Sequence, residues 1–512
     1  MKRIAGSILV VLFVATGASA QFKRISASDF ANSPARVTAL SKAVRGMKAR
    51  NTLGKTTAGF RTSWNYWANM HGYFGPTSPM GTAQAFKNAA PDNNHCGQLT
   101  GAQLNLCISY YNHVQSFSVP ADGGITQSVW AKCQHGNMQF LPWHRMYLKY
   151  LERTMRKTSG DPNFSLPYWD YYDDVNGSGD ILLPKLVRNG ASAWMIDTFR
   201  TPGLNASTTA IDKDTGSAEQ AFDFNGFSNF SSTLEGQPHG AMHCGTGWDC
   251  QAPDIGRVPM AGLDPVFYMH HANIDRLWQC WMVKKANGAT INLAWAKANL
   301  GMPQSWFDQS WTFVDENGAK VSMKVSQLFE PGGIDYIYDQ TTNCVPPSEV
   351  PVPEAPETPA ADRATVSTPA PVSLTGRTLT VPLAPVTLEA PEVPVPEEIE
   401  VAPGRSVLIL QEVRIEGGHP GVSYQIHLSR KSDPAQRVFV ATISWFGVMD
   451  RHAGHDESEK PGHRLLFYDV TSELARLGNP PESDIAVTFE PTRETTRAGT
   501  VTVGSIRIQT AD

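Results

Sequence analysis

Asp264-Pro265-Val266-Phe267-Tyr268-Met269-His270-His271-Ala272-Asn273-Ile274-Asp275-Arg276-Leu277-Trp278 decides how the larger part of this chain folds. Phe267, Ile274, Leu277, Trp278 and Trp281 recur at helical spacing between Val266 and Lys284, with His271 among them. One histidine in such a stripe is more often a packed core residue than a ligand. Two further segments change that balance. In Cys133-Gln134-His135-Gly136-Asn137-Met138-Gln139-Phe140-Leu141-Pro142-Trp143-His144-Arg145, Pro142 can open a helix, because a first-turn N–H needs no partner. His144 then projects from the first turn and His135 from the loop before it. In Glu235-Gly236-Gln237-Pro238-His239-Gly240-Ala241-Met242-His243, two histidines four residues apart share one helix face and can hold one metal together.

Three such clusters in one stretch of chain point to a metal site. No Glu completes an H-E-x-x-H pattern, which disfavours a zinc protease. Imidazole suits zinc, copper, iron and nickel alike, so histidine alone does not name the metal. Of the 14 histidines, nine lie between His71 and His271.

The chain has 512 residues, more than one average domain, with 41% apolar and 18% charged side chains. A net charge of −5 without a Lys/Arg cluster argues against a nucleic-acid partner. Lys2-Arg3, the apolar run Ile4 to Val14 and Ala18-Ser19-Ala20 form a secretory signal over residues 1–20. That run is shorter than the ~20 residues a membrane span needs. The expected mature protein begins at Gln21 and is secreted or periplasmic, with no membrane attachment after cleavage. Seven cysteines fit an oxidising compartment. Cys96 with Cys107, Cys244 with Cys250, and Cys280 with Cys344 are candidate disulfides, though connectivity stays open; Cys133 is left over.

Residues 21–344 are rich in Trp, Tyr, Phe and His and carry helical stretches. Residues 345–400 are rich in Pro, Glu, Val and Ala and read as an extended linker. Residues 401–512 hold short β-branched runs with turns between them, including Val407-Leu408-Ile409-Leu410 and Val438-Phe439-Val440-Ala441. The expected fold is a mainly α domain, a helical bundle around a metal site, followed by a small all-β sandwich.

Phe140-Leu141-Pro142-Trp143-His144-Arg145 and Asp264-Pro265-x-Phe267-x-x-His270-His271-x-x-x-Asp275-Arg276-Leu277-Trp278 resemble the two copper-binding signatures of tyrosinases, catechol oxidases and molluscan haemocyanins. Pro167-Tyr168-Trp169-Asp170 is similar to another stretch of that family. The resemblance implies two copper ions in a type 3 dinuclear centre. His135 and His144 would serve the first copper; His239, His243 and His271 the second. Adjacent helical residues point about 100° apart, so His270 is not expected to share the role of His271. For the remaining ligand, Trp64-x-x-Trp67-Ala68-Asn69-Met70-His71-Gly72 is similar to the family's aromatic-helix-His-Gly stretch and favours His71. The rival is His113, in Tyr110-Tyr111-Asn112-His113.

The same resemblance implies a thioether between Cys133 and His135, from the Cys-x-His spacing. It implies an acidic residue, Glu235, holding a water near the second copper, and a gate residue near Met260. Asp264 and Asp275 would be carboxylates behind the ligands or helix caps. Members that hydroxylate monophenols well often carry Asn after the ligand equivalent to His239. Here it is Gly240, which disfavours strong monophenolase activity.

The C-terminal region resembles the β-domain that follows the core in plant-type polyphenol oxidases, and Tyr336-x-Tyr338 the tyrosine motif that closes the core. That resemblance implies a shield that makes the enzyme latent until the linker is cut. Trp445-Phe446 is expected to belong to the β-domain core rather than to block the site, and His452, His455 and His463 to lie in a solvated loop. The implied activity is oxidation of o-diphenols to o-quinones with O2, with some ortho-hydroxylation of monophenols, and with phenolic small molecules as partners. The alternatives are a haemocyanin-like oxygen carrier, disfavoured by a single unrepeated core, and an o-aminophenol oxidase.

Overall fold

In the computed structural model the described residues are 22–73, 119–250, 252–345, 362–368, 370–385, 404–416, 420–447, 464–493 and 499–511. The first domain is built on α1 (Pro34–Ala49), α2 (Trp64–His71), α3 (Phe140–Ser159), α4 (Ala241–Thr246) and α5 (Val266–Ala286). Helix α5 follows Pro265 and stops at Asn287, in left-handed conformation with φ 44°, with Lys284 and Lys285 in its last turn. Every residue from Val266 to Trp278 is buried, so α5 runs through the core rather than along its surface. Helix α3 begins two residues before Pro142, which therefore sits in the first turn as its missing N–H requires. It ends at Gly160, where φ is +72°.

One buried carboxylate ties these helices together. Asp275, one turn beyond His271, accepts from Arg145 of α3 and from the hydroxyls of Tyr336 and Tyr338, both at 2.6 Å. Arg24 reaches it at 3.4 Å and pairs with Glu152 at 2.8 Å. Arg24 lies on β1 (Phe22–Arg24), which pairs in parallel with β2 (Tyr336–Tyr338). The two ends of the domain are thus fastened at the helix that carries His271. Burial alone would raise the Asp275 carboxyl, but the two guanidiniums hold it below its ordinary range.

The second domain is an antiparallel β-structure. Its strands are β3 (Asp362–Ser367), β4 (Val372–Leu374), β5 (Leu379–Pro382), β6 (Ala384–Pro385), β7 (Ser406–Glu416), β8 (Tyr424–Arg430), β9 (Arg437–Ile443), β10 (Arg464–Asp469), β11 (Ile485–Pro491), β12 (Thr500–Val503) and β13 (Ser505–Ala511). One sheet has the order β9-β8-β11-β5; the other has β4-β12-β7-β13-β3-β6, with β10 also on β7. Leu408, Leu410, Ile506 and Ile508 of the second sheet share one buried cluster with Ile426, Leu428, Val487 and Phe489 of the first. Alternate residues face that cluster, the period of a half-buried strand. The expected two-part fold is therefore observed.

The expected linker, 345–400, needs correction. Strands β3, β4, β5 and β6 fall inside it and pair with β13, β12, β11 and β3 respectively. Proline is tolerated there because these strands lie at or near sheet edges. The signal segment 1–20 lies outside the described residues, as do Cys96, Cys107, His113, His452, His455 and His463.

The two domains meet through specific polar contacts. Arg493 pairs with Asp249 at 2.9 Å, and Gln220 Nε2 donates to Glu473 Oε1 at 3.1 Å. Glu473 sits on α6 (Thr471–Arg476), is 3% exposed, and its Oε2 has no hydrogen-bond partner. Burial, with Asp223 alongside, pushes its carboxyl up to about 8. Asp469 adds to that rise, whereas Arg476 opposes it.

Two outcomes follow from these buried carboxylates. Asp275→Ala leaves Arg145 and Arg24 without their shared acid, and urea denaturation should show a loss of roughly 3–5 kcal/mol; an unchanged midpoint would contradict the fastening role. Glu473 is protonated in the folded chain up to about 8 but loses its proton near 4.5 when unfolded. The folded state thus holds the extra proton between those values, and stability falls as pH rises across that window. The slope of thermal midpoint against pH should be shallower in Glu473→Gln than in the parent chain.

Candidate metal centre

His71 is the last residue of α2, a helix capped by Ser63, whose Oγ accepts from Tyr66 N–H at 3.3 Å. Gly72 follows because a Cβ there would run into the Pro259 backbone. That close approach lets the neighbouring Val258 carbonyl accept from His71 Nδ1 at 2.8 Å. His144 Nδ1 is held in the same way by Phe140 O at 2.8 Å, His239 Nδ1 by Glu235 O at 2.9 Å, and His243 Nδ1 by Ile255 O at 2.7 Å. A carbonyl can only accept, so each Nδ1 carries the proton and each Nε2 carries the lone pair. Four backbone carbonyls therefore select the tautomer that binds metals.

The rings form two triangles. His71, His135 and His144 have centroids 5.1, 5.4 and 5.2 Å apart. His239, His243 and His271 are 4.7, 5.0 and 5.4 Å apart. His144 and His271 stack at 4.5 Å and join the two sets. His239 and His243 share a face as expected, although Gln237 breaks the helix before them with φ −144° and ψ 130°.

The electrostatics match. Burial lowers His239 to about 3 and holds His144, His243 and His271 well below the ordinary value, with neighbouring imidazoles adding to the effect in those three. These rings are neutral near pH 7. The Nε2 atoms of His144 and His239 are buried without a hydrogen-bond partner, and those of His243 and His271 lie 3.2 Å apart. A buried lone pair with nothing to satisfy it costs roughly 1–3 kcal/mol. Imidazole nitrogens gathered in overlapping groups around one buried place suit copper or zinc and not a hard cation that demands oxygen.

Several expectations need refinement. His271 stands in both groups, facing His71 and His144 as well as His239 and His243. His270 was not expected at the site, yet its ligand atom lies within 4.8 Å of those of His239, His243 and His271. Its ring stacks on His239 at 5.5 Å while Tyr171 OH holds its Nδ1 at 2.6 Å. His239 and His243 pack against both rings, so the divergence of adjacent helical residues does not keep His270 out of the group. Cys133 is buried, outside both described disulfides, with Sγ within 4.8 Å of ligand atoms of His71 and His135. Glu235 Oε1 accepts from Gly136 N–H at 2.6 Å and so grips the loop that carries His135. Asp264 takes Arg200 at 2.6 and 2.8 Å and caps α5 through Val266 N–H at 2.9 Å. Two pairings are observed, Cys244–Cys250 beside His243 and Cys280–Cys344 at the end of the domain.

The aromatic over the site comes from the second domain. Phe446 stacks on His243 with centroids 3.7 Å apart and planes 6° apart, and packs against His135 and His239 at 6.0 and 5.4 Å. The expectation that Trp445-Phe446 belongs to the β core holds for Trp445 alone, since Phe446 is part of the first domain's core. Met260, the expected gate, is fully buried. Strand β9 ends at Ile443, and beyond it Trp445 packs into the second domain while Phe446 packs into the first. The orienting carbonyls had no signal in the sequence, because every residue has one.

Residues 61–200 and 187–284 match the common central domain of tyrosinase. Over 508 residues the chain is 25% identical to Tyrosinase HcTyr1 of Hahella sp. (strain CCB-MM4), spanning 91% of this chain and 95% of that protein. It is 26% identical to the polyphenol oxidase latent form, chloroplastic, of Prunus armeniaca, spanning 83% of this chain and 72% of that one. Among solved structures, latent aurone synthase (polyphenol oxidase) matches with TM-score 0.55 at 17% identity, covering 96% of this chain and 90% of the other. Latent apple tyrosinase matches with TM-score 0.54 at 17% identity, covering 97% and 99%. These two share the fold of both domains. With the two histidine triangles and the signatures that build them, the matches place the chain in the tyrosinase and polyphenol oxidase family.

Proposed function

We propose that this chain is a copper-dependent phenol oxidase that converts o-diphenols to o-quinones with O2, and that its C-terminal domain keeps it latent. The observation that carries the reading is the pair of imidazole triangles joined through His144 and His271 at 4.5 Å. His71, His135 and His144 would hold one copper, and His239, His243 and His271 the other. When bound, the two coppers supply the O2 binding and redox chemistry by which two diphenols reduce one O2 to water.

The chain's own residues prepare that chemistry. The carbonyls of Val258, Phe140, Glu235 and Ile255 keep four imidazoles in the ligating tautomer, so no reorganisation is needed when metal arrives. A thioether between Cys133 and His135, whose Sγ and ligand nitrogen lie within 4.8 Å, would fix that ring further. Glu235 holds the His135 loop through Gly136 N–H, and its carboxylate is a candidate to accept a phenol proton. His243 presents a flat imidazole face on which a phenol ring can stack. Phe446 occupies that face, which supports latency. The signal-like residues 1–20 and the two disulfides support export to a secreted or periplasmic location.

Copper-loaded full-length protein should consume O2 with catechol slowly, and markedly faster after brief proteolysis. Failure to consume O2 with any catechol in either state would sink the oxidase reading and leave an oxygen carrier. Phe446→Ala should raise the rate of the uncut protein by up to roughly tenfold, about 1.4 kcal/mol, the scale of one buried aromatic stack. Tyrosine or tyramine turnover by the cut protein should be slower than catechol turnover, because Gly240 offers no side chain beside His239. A faster monophenol rate would reverse that preference.

A further inference from the structure

Gly240 follows His239 and opens α4 with ordinary helical torsions, φ −64° and ψ −35°. That backbone does not require glycine, which costs helix stability relative to alanine because it surrenders more chain entropy. The reason for the missing side chain lies across the domain boundary. A Cβ at position 240 would stand 2.5 Å from Ser444 Oγ and 3.6 Å from Phe446 Cβ, with the Glu235 carbonyl at 3.3 Å. Ser444 is 5% exposed, and its Oγ reaches Gly236 O at 3.5 Å. Two residues earlier, Thr442 N–H donates to Gln237 Oε1, while Gln237 Nε2 donates to Asp214 O at 2.8 Å. Segment 442–446 is therefore laid along segment 236–240, and Phe446 reaches His243 from the end of it.

We propose that position 240 couples substrate scope to latency. It borders both the mouth of the site beside His239 and the segment that closes that mouth. A side chain long enough to touch a bound phenol is then also one that unseats Ser444 and Phe446. An alanine could be met by turning the Ser444 hydroxyl; asparagine would bring Cγ, Oδ1 and Nδ2 into the same gap. The site and its cover cannot vary independently here, and the compensating position is 444. This inference rests on the latency reading above.

The test uses the copper-loaded full-length chain as wild type, Gly240→Asn, Ser444→Gly and the double variant. The quantity read is O2 uptake with catechol before limited proteolysis divided by uptake after it. Gly240→Asn should raise this ratio roughly fivefold, about 1 kcal/mol of docking free energy. Ser444→Gly alone should leave it within about twofold, and adding it to Gly240→Asn should bring the ratio back toward wild type. Because residue 240 borders the site, hydrogen exchange of residues 442–446 in uncut protein supplies a second readout, and it should quicken in Gly240→Asn. Wild-type values for Gly240→Asn in both measurements, or a rise that Ser444→Gly does not reduce, would overturn the coupling. A wild type whose rate does not change on cutting would instead mark failure of the latency reading.

Discussion

Burying a ring of imidazoles with their lone pairs turned toward one another is the constraint on which this structure depends. Each such nitrogen is costly in a dry interior unless a cation meets it, and burial keeps the rings from protonating to relieve the cost. The fold holds them inward regardless. Val258, Phe140, Glu235 and Ile255 spend their carbonyls on the opposite nitrogens, so the strained polarity points at one place. Those carbonyls come from three separate segments, at Phe140, at Glu235 and at 255–258. The centre is therefore only as well formed as the packing between them.

That packing is secured away from the metals. Asp275 sits one turn from His271, and Arg145 is next to His144, so a single buried carboxylate sets the distance between the helices that carry the joined rings. Tyr336, Tyr338 and Arg24 bring both ends of the domain to the same point. The Cys280–Cys344 bond fastens the far end of α5 to the segment that leaves the domain. A dinuclear site needs its two halves held at fixed spacing, and this core fixes it with charge and hydrogen bonds rather than with apolar contact alone.

The second domain is bound by the same economy of specific contacts. Arg493 on Asp249, Gln220 on Glu473 and Thr442 on Gln237 place segment 442–446 over the second histidine triangle. Phe446 satisfies the exposed imidazole face with a ring, and Gly240 leaves room for the backbone that delivers it. Glu473 is an acid that burial holds above its ordinary range at this junction.

Much of this was legible in the chain. Helical periodicity around His271, the four-residue spacing of His239 and His243, and Pro142 ahead of His144 each follow from local backbone geometry, so those elements formed where they were expected. Alternating apolar runs announced the β-domain for the same reason. Tertiary structure alone decided the rest. The strands at 362–385 were hidden because proline-rich segments show their strand character only when a sheet edge receives them. His270 joined the cluster because the folded chain packs His239 and His243 against it. Phe446 left the β core for the site because only the docked domains give its ring a partner. Sequence determined which residues could bind metal, since that depends on side-chain chemistry and local spacing. Structure decided which nitrogen of each ring faces inward and what covers them, since those depend on carbonyls and rings brought from distant parts of the chain.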